Sequence, residues 1–236
     1  MKIFENTRGI DFPFYNGVPE LSKLDWIVLA IGPILTLATI FGIIDFIPGA
    51  GNVISGTFTP VWFCLVTLLP VTYVCRGKLN IFFKVPKLGD IKIILACFIL
   101  NSIFTIGMAA LLDMMGFKLS NNTSVIAHAV FTTNNVFLLI QLIGEELFKV
   151  SLLLCIMALV YHFSENRKLS VVISTLLVML VFGLMHLPAY NWNFIQSLVL
   201  IGLSTIFDLF PYLKTKNVTN SYIVHVLIDI APSLLP

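Results

Sequence analysis

The chain has 236 residues and a formal net charge of only +2, with 58% hydrophobic and 11% charged residues. Its mean hydropathy is +0.98, whereas an ordinary soluble domain contains about 25% charged residues. This composition excludes a soluble globular domain and does not suggest nucleic acid as a partner. It predicts a single all-α domain over residues 1–236, a polytopic helix bundle surrounded by the lipid bilayer, because a membrane span must satisfy its backbone hydrogen bonds internally.

Seven apolar segments are long enough, or nearly so, to cross a bilayer, which takes about 20 residues. In chain order they cover 26–47, 57–75, 91–112, 134–162, 171–187, 193–210 and 220–235. The last three are short, so we expect them to be tilted or partly unwound. The charged first 25 residues contain no apolar segment typical of a signal peptide. The first span is therefore expected to remain as a membrane anchor.

The lysine and arginine residues that lie outside the spans or at their ends separate onto one side of this seven-span arrangement. If the N-terminus is cytoplasmic, the cytoplasmic side holds twelve of them: Lys2, Arg8, Lys23, Arg76, Lys78, Lys84, Lys87, Lys92, Arg167, Lys168, Lys214 and Lys216. Lys118 alone falls on the other side. Because cytoplasmic loops are enriched in Lys and Arg, the pattern predicts a multi-pass protein with its N-terminus inside. The short chain, without an organelle-targeting segment, favours a bacterial cell membrane.

Several polar or reactive residues have a purely structural interpretation. The cysteines show no CxxC spacing and are expected to be reduced packing residues; they are Cys64, Cys75, Cys97 and Cys155. His128 and His162 lie near span edges and are expected at the membrane interface. Asp45 and Asp208 lie at the ends of predicted spans, so we expect both to face water.

Two adjacent carboxylates, Glu145 and Glu146, lie in the middle of the fourth span. A charge at that depth costs roughly 2.5–3.5 kcal/mol, and intramembrane ionisable residues are usually functional. Gln141, Glu145 and Lys149 are spaced i, i+4, i+8 and share one helix face. This spacing allows an ion pair between Lys149 and Glu145, and if that pair forms it would weaken the carboxylate as a base.

Three further ionisable residues fall in later spans. His186 ends the fifth span, and His225 and Asp229 share one face of the seventh. With the two glutamates they form a set that can activate water, since a buried carboxylate can act as a general base and a polar side chain can stabilise an oxyanion. A divalent metal such as zinc, held by Glu145, His186 and His225, remains an alternative. Each pair alone also fits a structural role, so the functional interpretation depends on their coincidence.

These residues resemble the three motifs of the CAAX protease and bacteriocin-processing (CPBP, or Abi) family of intramembrane proteases. That family has EExxxR, then FxxxH, then HxxxN or HxxxD, each on a different late helix. Here the motifs read EELFKV from Glu145, FGLMH from Phe182 and HVLID from His225, separated by about forty residues each. The resemblance covers roughly 134–236.

The resemblance implies a glutamate-dependent intramembrane endopeptidase. Glu145 would be the general base that activates water, with Glu146 as its support. His186 would help to hold the water, and His225 and Asp229 would stabilise the oxyanion. The substrate would be a membrane-associated peptide or protein, such as a bacteriocin or pheromone precursor or a CAAX-type protein. No cofactor is required, although a metal stays open.

One position departs from the family pattern. The arginine of the first motif would fall at residue 150, which is Val150, and the cation lies one residue earlier, at Lys149. Lysine lacks the bidentate fork of arginine. The departure favours an alternative function, a non-catalytic membrane scaffold or a bacteriocin self-immunity protein of the same fold. A proton-coupled transporter is a third alternative, which the lack of an internal repeat disfavours.

The predicted spans also leave the two histidines at different depths. His186 falls near the outer end of the fifth span and His225 near the inner end of the seventh. If both belong to one site, the short spans must tilt, start deeper in the membrane or unwind, and their predicted boundaries must be wrong by several residues.

Overall fold

The chain folds into helices joined by short connections. The computed structural model describes residues 11–15, 17, 19–43, 53–120 and 133–234, and none of these residues forms a strand. Asp45 and His128 lie outside this part, and His162 is exposed at the end of its helix. The helices are α1 (Lys23–Ala38, continued by a π-helical turn, Thr39–Ile43), α2 (Val53–Val74), α3 (Leu88–Met114), α4 (Thr133–Ser164), α5 (Arg167–Met185), α6 (Phe194–Thr215) and α7 (Val218–Leu234).

The predicted all-α bundle of seven helices is confirmed. Among the described residues, α1, α3, α4, α5 and α6 are long and apolar enough to cross a membrane, while α2 and α7 contain shorter apolar helices. Each helix overlaps the apolar segment from which it was predicted. Apart from the end of α1, after which residues 44–52 are not described, the largest difference is at the end of α6, which continues to residue 215 rather than 210. Helices α2 and α5 each begin four residues earlier than predicted, at 53 and 167.

Helix α4 lies at the centre of the bundle and packs against α1, α2, α5 and α7. At Gly144 the backbone of α2 approaches so closely that a Cβ would lie 2.9 Å from the Cα of Cys64. Glycine is therefore required at residue 144 for this approach. The next two residues of α4, the adjacent glutamates, are buried in the interior of the bundle. They are followed along α4 by the fully buried Leu147, Phe148 and Val150.

Helix α6 is irregular. Its first turn, Phe194–Gln196, leads into a π-helical segment, Ser197–Gly202, and then into a regular helix, Thr205–Thr215. Such π-helical segments are frequent at functional sites. The helix continues through Pro211, and the backbone N–H of Tyr212 donates to Ser221 Oγ at 3.0 Å. Neighbouring serines are one means by which membrane helices accommodate proline.

The connections predicted to share a side of the membrane do contact one another. The backbone N–H of Lys84, between α2 and α3, donates to Asn217 Oδ1 between α6 and α7 at 2.9 Å. Asp11 of the N-terminal segment forms an ion pair with the first residue of α5. At the other end of the bundle, Asn193 Nδ2 donates to the carbonyl oxygen of Lys118 at 2.9 Å. The alternation of sides agrees with the prediction, and the side that faces the cytoplasm stays a prediction.

Helix α7 begins below the surface of the protein, which explains how the two histidines reach one level. Lys216 and Asn217, in the turn before it, are 1% and 3% exposed. The ring of Phe12 covers the Lys216 ammonium at 3.6 Å, and the Val218 N–H donates to the carbonyl oxygen of Phe82 at 2.9 Å. Because two other segments cover this turn, His225, about two turns into α7, lies deep in the bundle.

Candidate active site

The predicted site residues meet around the ring of Phe182 on α5. Its centroid lies 4.7 Å from the ring centroid of His186 and 6.1 Å from that of His225. The ammonium of Lys149 lies 4.6 Å from the same ring. The phenylalanine of the second motif is therefore a buried aromatic spacer, 2% exposed, between both histidines and the lysine.

The two ring nitrogens of His225 face different carboxylates. Its Nδ1 lies 2.8 Å from Glu146 Oε1, and because an ionised carboxylate only accepts, this contact assigns a proton to Nδ1. Its Nε2 lies 3.8 Å from Glu145 Oε2 and 3.9 Å from Asp229 Oδ2. Both separations exceed a direct hydrogen bond, so they leave room for a bridging water or a substrate oxygen.

Lys149 lies on the Glu146 side of this histidine. Its Nζ is 2.6 Å from Glu146 Oε1 and forms a second ion pair with Asp208 Oδ2. The side chains of Lys149 and Glu146 are completely buried. Since its ion-pair partners among the described residues are Glu146 and Asp208, Lys149 does not form the pair with Glu145 that the i, i+4 spacing allows.

Glu145 has a neutral partner instead. Gln141 Nε2 donates to Glu145 Oε1 at 2.7 Å, as expected for two residues one turn apart on the same face. The other oxygen of Glu145 faces His225 Nε2. Glu145 is 4% exposed, whereas the side chain of Asp229 is 35% exposed. The site is therefore more exposed on the side of Asp229, called its open side here, than on the side of Glu146, its closed side.

Asp208 is the site residue that the sequence interpretation missed. We expected it to face water, yet it is 4% exposed, pairs with Lys149, and lies 3.8 Å from His225 Nδ1. The prediction failed because the sixth span was ended immediately before Pro211, which placed Asp208 at a helix end. The sequence held a usable signal, since Asp208 interrupts an apolar run and ionisable residues inside spans are functional candidates.

His186 follows the last residue of α5 and is partly buried. Its Nδ1 lies 2.8 Å from the carbonyl oxygen of Phe182. Because a carbonyl oxygen accepts, Nδ1 carries the proton, and Nε2 of the neutral ring is left to accept. Such a nitrogen can accept a hydrogen bond from water, in agreement with the role that the resemblance implies.

Residues 127–231 match the model of one protein family, described as type II CAAX prenyl endopeptidase Rce1-like. Over this part, which is a little under half of the chain, the sequence is similar to the Rce1-like family. The match spans α4 to α7 and includes every residue of the site, and it confirms the resemblance to CAAX proteases predicted from the three motifs. Comparison with curated proteins gives no match, and comparison with solved structures gives none. The match and the apolar helices together indicate a multi-pass membrane protein whose later helices resemble the fold of CAAX-type intramembrane proteases.

The geometry of the site does not support the metal-ligand set predicted from the sequence, Glu145, His186 and His225. Among the described residues, the metal-ligating groups that lie within 4.8 Å of one another are Glu146, Asp208 and His225. This set shares only His225 with the predicted one. Its centre is taken by the Lys149 ammonium, which lies 3.5 Å from His225 Nδ1 and pairs with both carboxylates. A divalent ion would have to displace a buried cation, so the residues fit an internal ammonium rather than a metal.

Proposed function

We propose that the chain is an intramembrane endopeptidase in which Glu145 is the general base. The observation that supports this role is the environment of its carboxylate. One oxygen is held by the neutral Gln141, and the other faces His225 Nε2 across a gap of 3.8 Å. Glu146, one residue later, is occupied by Lys149. Of the two glutamates, Glu145 is thus the one whose carboxylate has no cation on it among the described residues and has an oxygen on the Nε2 side of His225.

The proposed reaction is the hydrolysis of a peptide bond. Glu145 takes a proton from a water that His186 Nε2 helps to hold, and the water oxygen attacks the carbonyl carbon. The C–N bond then breaks, the hydroxyl stays on the new carboxyl group, and the proton passes from Glu145 to the leaving amine. A positioned general base of this kind contributes typically about 10²–10⁴-fold to the rate.

In this proposal, His225 and Asp229 stabilise the oxyanion. With Nδ1–H donated to Glu146, His225 directs Nε2 toward the open side, where its protonated form presents an N–H donor. Asp229 lies beside it and donates only in its acid form, because an ionised carboxylate has no proton to donate. Preorganised donors at the point where charge develops are commonly a large part of catalysis.

The substrate is proposed to be a membrane-associated peptide or protein. The name of the matching family makes a prenylated CAAX-type peptide the first candidate. A bacteriocin or pheromone precursor is the second, and it is the one favoured by a bacterial origin. Both would bring the scissile bond to helices that lie within the bilayer.

The test is a cleavage assay with the full chain reconstituted in liposomes. A farnesylated CAAX-type peptide, the same peptide without the lipid, and a precursor peptide are each incubated with the protein, and products are identified by mass spectrometry. Asp113→Asn, an exposed acid near the end of α3, is the matched control.

Wild type and Asp113→Asn are expected to cleave one of these substrates at equal rates. Glu145→Gln and His225→Gln are expected to lose about 100-fold or more at equal amounts of folded protein. A Glu145→Gln variant that cleaves as fast as the wild type would refute the proposal. Normal biological function of all such variants in cells would instead favour the scaffold or self-immunity alternative.

A further inference from the structure

The position of the motif arginine holds a buried apolar side chain here. Val150 is 0% exposed and belongs to the hydrophobic core that α4 shares with its neighbours. The cation is supplied by Lys149, about 100° around the helix from it. A guanidinium can form two parallel hydrogen bonds to one carboxylate, whereas an ammonium is a point charge that binds separate partners.

Three helices supply those partners. Lys149 Nζ lies 2.6 Å from Glu146 Oε1 on its own helix, pairs with Asp208 on α6, and lies 4.6 Å from the ring of Phe182 on α5. All four residues are buried. The ammonium is therefore held between α4 and α6, on the side of His225 that carries Nδ1.

We propose that Asp208 is a positioning residue of the hydrolytic site: it holds the Lys149 ammonium on Glu146 and thereby leaves Glu145 free to act as the base. The inference rests on the proposed function. Asp208 faces His225 on its Nδ1 side, away from Nε2 and the open part of the site. It acts through Lys149 and touches no reacting atom.

The reason is the competition between two acidic partners on α4. Glu145 and Lys149 are spaced i, i+4, a separation at which oppositely charged side chains pair on a helix. Glu146 precedes the same lysine by three residues, a spacing that also allows an ion pair. The helix alone therefore allows Lys149 to pair with either glutamate. Asp208 adds a second carboxylate on the Glu146 side and decides between them. An ammonium on Glu145 would stabilise the ionised form of that carboxylate and weaken it as a base.

The charge balance supports the same assignment. Lys149 has two buried carboxylate partners, and one oxygen of each, Glu146 Oε2 and Asp208 Oδ1, has no hydrogen-bond partner. The ammonium is thus the group that compensates this otherwise acidic pocket. Removing the charge of Asp208 leaves a simple one-to-one pair of Lys149 and Glu146, with Glu145 one turn away as a competing partner.

The first test is Asp208→Asn, which keeps the shape of the side chain and removes its charge. We expect kcat to fall about tenfold or more while KM changes by less than about twofold, because only the base is affected. Asp113→Asn, the exposed control, should retain both constants. Asp208→Glu retains the carboxylate and should keep more activity than Asp208→Asn, which guards the test against a folding defect at this position.

The second test adds Lys149→Met to Asp208→Asn. The double variant has no cation that can capture Glu145, so its kcat per folded molecule should rise severalfold above that of Asp208→Asn. A purely structural pair predicts recovery of folded protein without recovery of kcat. This interaction is measured as a double-mutant cycle with both single variants, and the folded fraction is quantified by size-exclusion chromatography.

Three results would overturn the inference: an unchanged kcat in Asp208→Asn, a loss that appears in KM alone, or a double variant no faster per folded molecule than Asp208→Asn. These outcomes are separable from failure of the proposed function. If the wild type cleaves and depends on Glu145 while Asp208→Asn is indifferent, only this inference fails. If Glu145→Gln cleaves as fast as the wild type, the proposed function fails with it.

Discussion

The two halves of the site differ more than the adjacency of their glutamates suggests. Glu146 is completely buried, pairs with Lys149 and accepts from His225 Nδ1. Glu145 has the neutral Gln141 as its partner and faces the open side of the same histidine. A rotation of about 100° around one helix separates these environments. Two adjacent carboxylates at nearly the same depth in the membrane can therefore have different roles, one as an ion-paired support and the other as an available base.

Lys149→Met should give the largest effect on stability. It leaves Glu146 and Asp208 as buried carboxylates without their cation, and breaking a buried ion pair in this way costs about 3–5 kcal/mol. Thermal unfolding in detergent measures the change, with Lys118→Met, at an exposed lysine, as the control. If Lys149→Met is as stable as the control, the ion pairs of Lys149 with Glu146 and Asp208 do not stabilise the fold.

Replacements of Asp229 test the open half. Asp229→Ala removes a proposed oxyanion donor, and such losses cost about 10²–10³-fold in kcat. Asp229→Asn should retain most of the activity, because an amide N–H₂ donates in every protonation state. Equal losses in the two variants would show that Asp229 does not act as a donor. The cleavage assay in liposomes gives both rates.

Gly144→Ala tests how the packing of α4 positions both glutamates. Its Cβ would lie 2.9 Å from the backbone of Cys64, so α2 and α4 must separate. Overpacking of this kind costs about 1–3 kcal/mol, and activity should fall with stability. Gly107→Ala on α3 is the matched control, since nothing lies within 4 Å of that Cβ. A Gly144→Ala protein as stable and active as Gly107→Ala would contradict the close approach.

Asp11→Asn should have the smallest effect, because Asp11 lies outside both halves of the site. Partial burial raises the pKa of Asp11, but hydrogen bonds from Arg167 and the Phe12 N–H outweigh it and hold the pKa below its ordinary value. A lowered folded-state pKa stabilises the protein above the unfolded-state pKa, and the stabilisation is lost as the pH falls through the folded-state pKa. At pH 7 the variant should lose about 1 kcal/mol or less.

The pH dependence provides the control for that prediction. The difference between Asp11→Asn and wild type, measured by thermal unfolding, should shrink as the pH is lowered below about 4, where the unfolded carboxyl takes up its proton. Cleavage at neutral pH should be unchanged. A difference that persists undiminished in acid would mean that the Asp11–Arg167 pair is not its source.

Hydropathy predicted most of the fold, and the motifs named most of the residues that the structure brings together around Phe182. Long apolar segments report the average environment along a helix axis, and the i, i+4 rule reports which residues share one face, as it did for Gln141 and Glu145. Neither reports how a helix is rotated against its neighbours. For this reason Glu145, on the same helix face, was considered as the partner of Lys149, whereas the structure pairs Lys149 with Glu146 and with Asp208 of α6.

The remaining errors have local physical causes. Pro211 was taken as the end of a span, yet the helix continues to Thr215 with Ser221 accepting from the next backbone N–H. The depth of α7 depends on segments that cover the turn before it, and such long-range cover leaves no periodic signal in the sequence. Both errors concern contacts between distant parts of the chain.

Chemical rescue tests the central claim, that Glu145 is the base, most directly. Glu145→Ala and Glu146→Ala are assayed for cleavage at equal folded amounts with increasing concentrations of formate, a small carboxylate. We predict that formate restores measurable cleavage to Glu145→Ala and none to Glu146→Ala, whose position is closed and ion-paired. Cleavage by Glu145→Ala at the wild-type rate without formate, or rescue of Glu146→Ala in its place, would contradict the account.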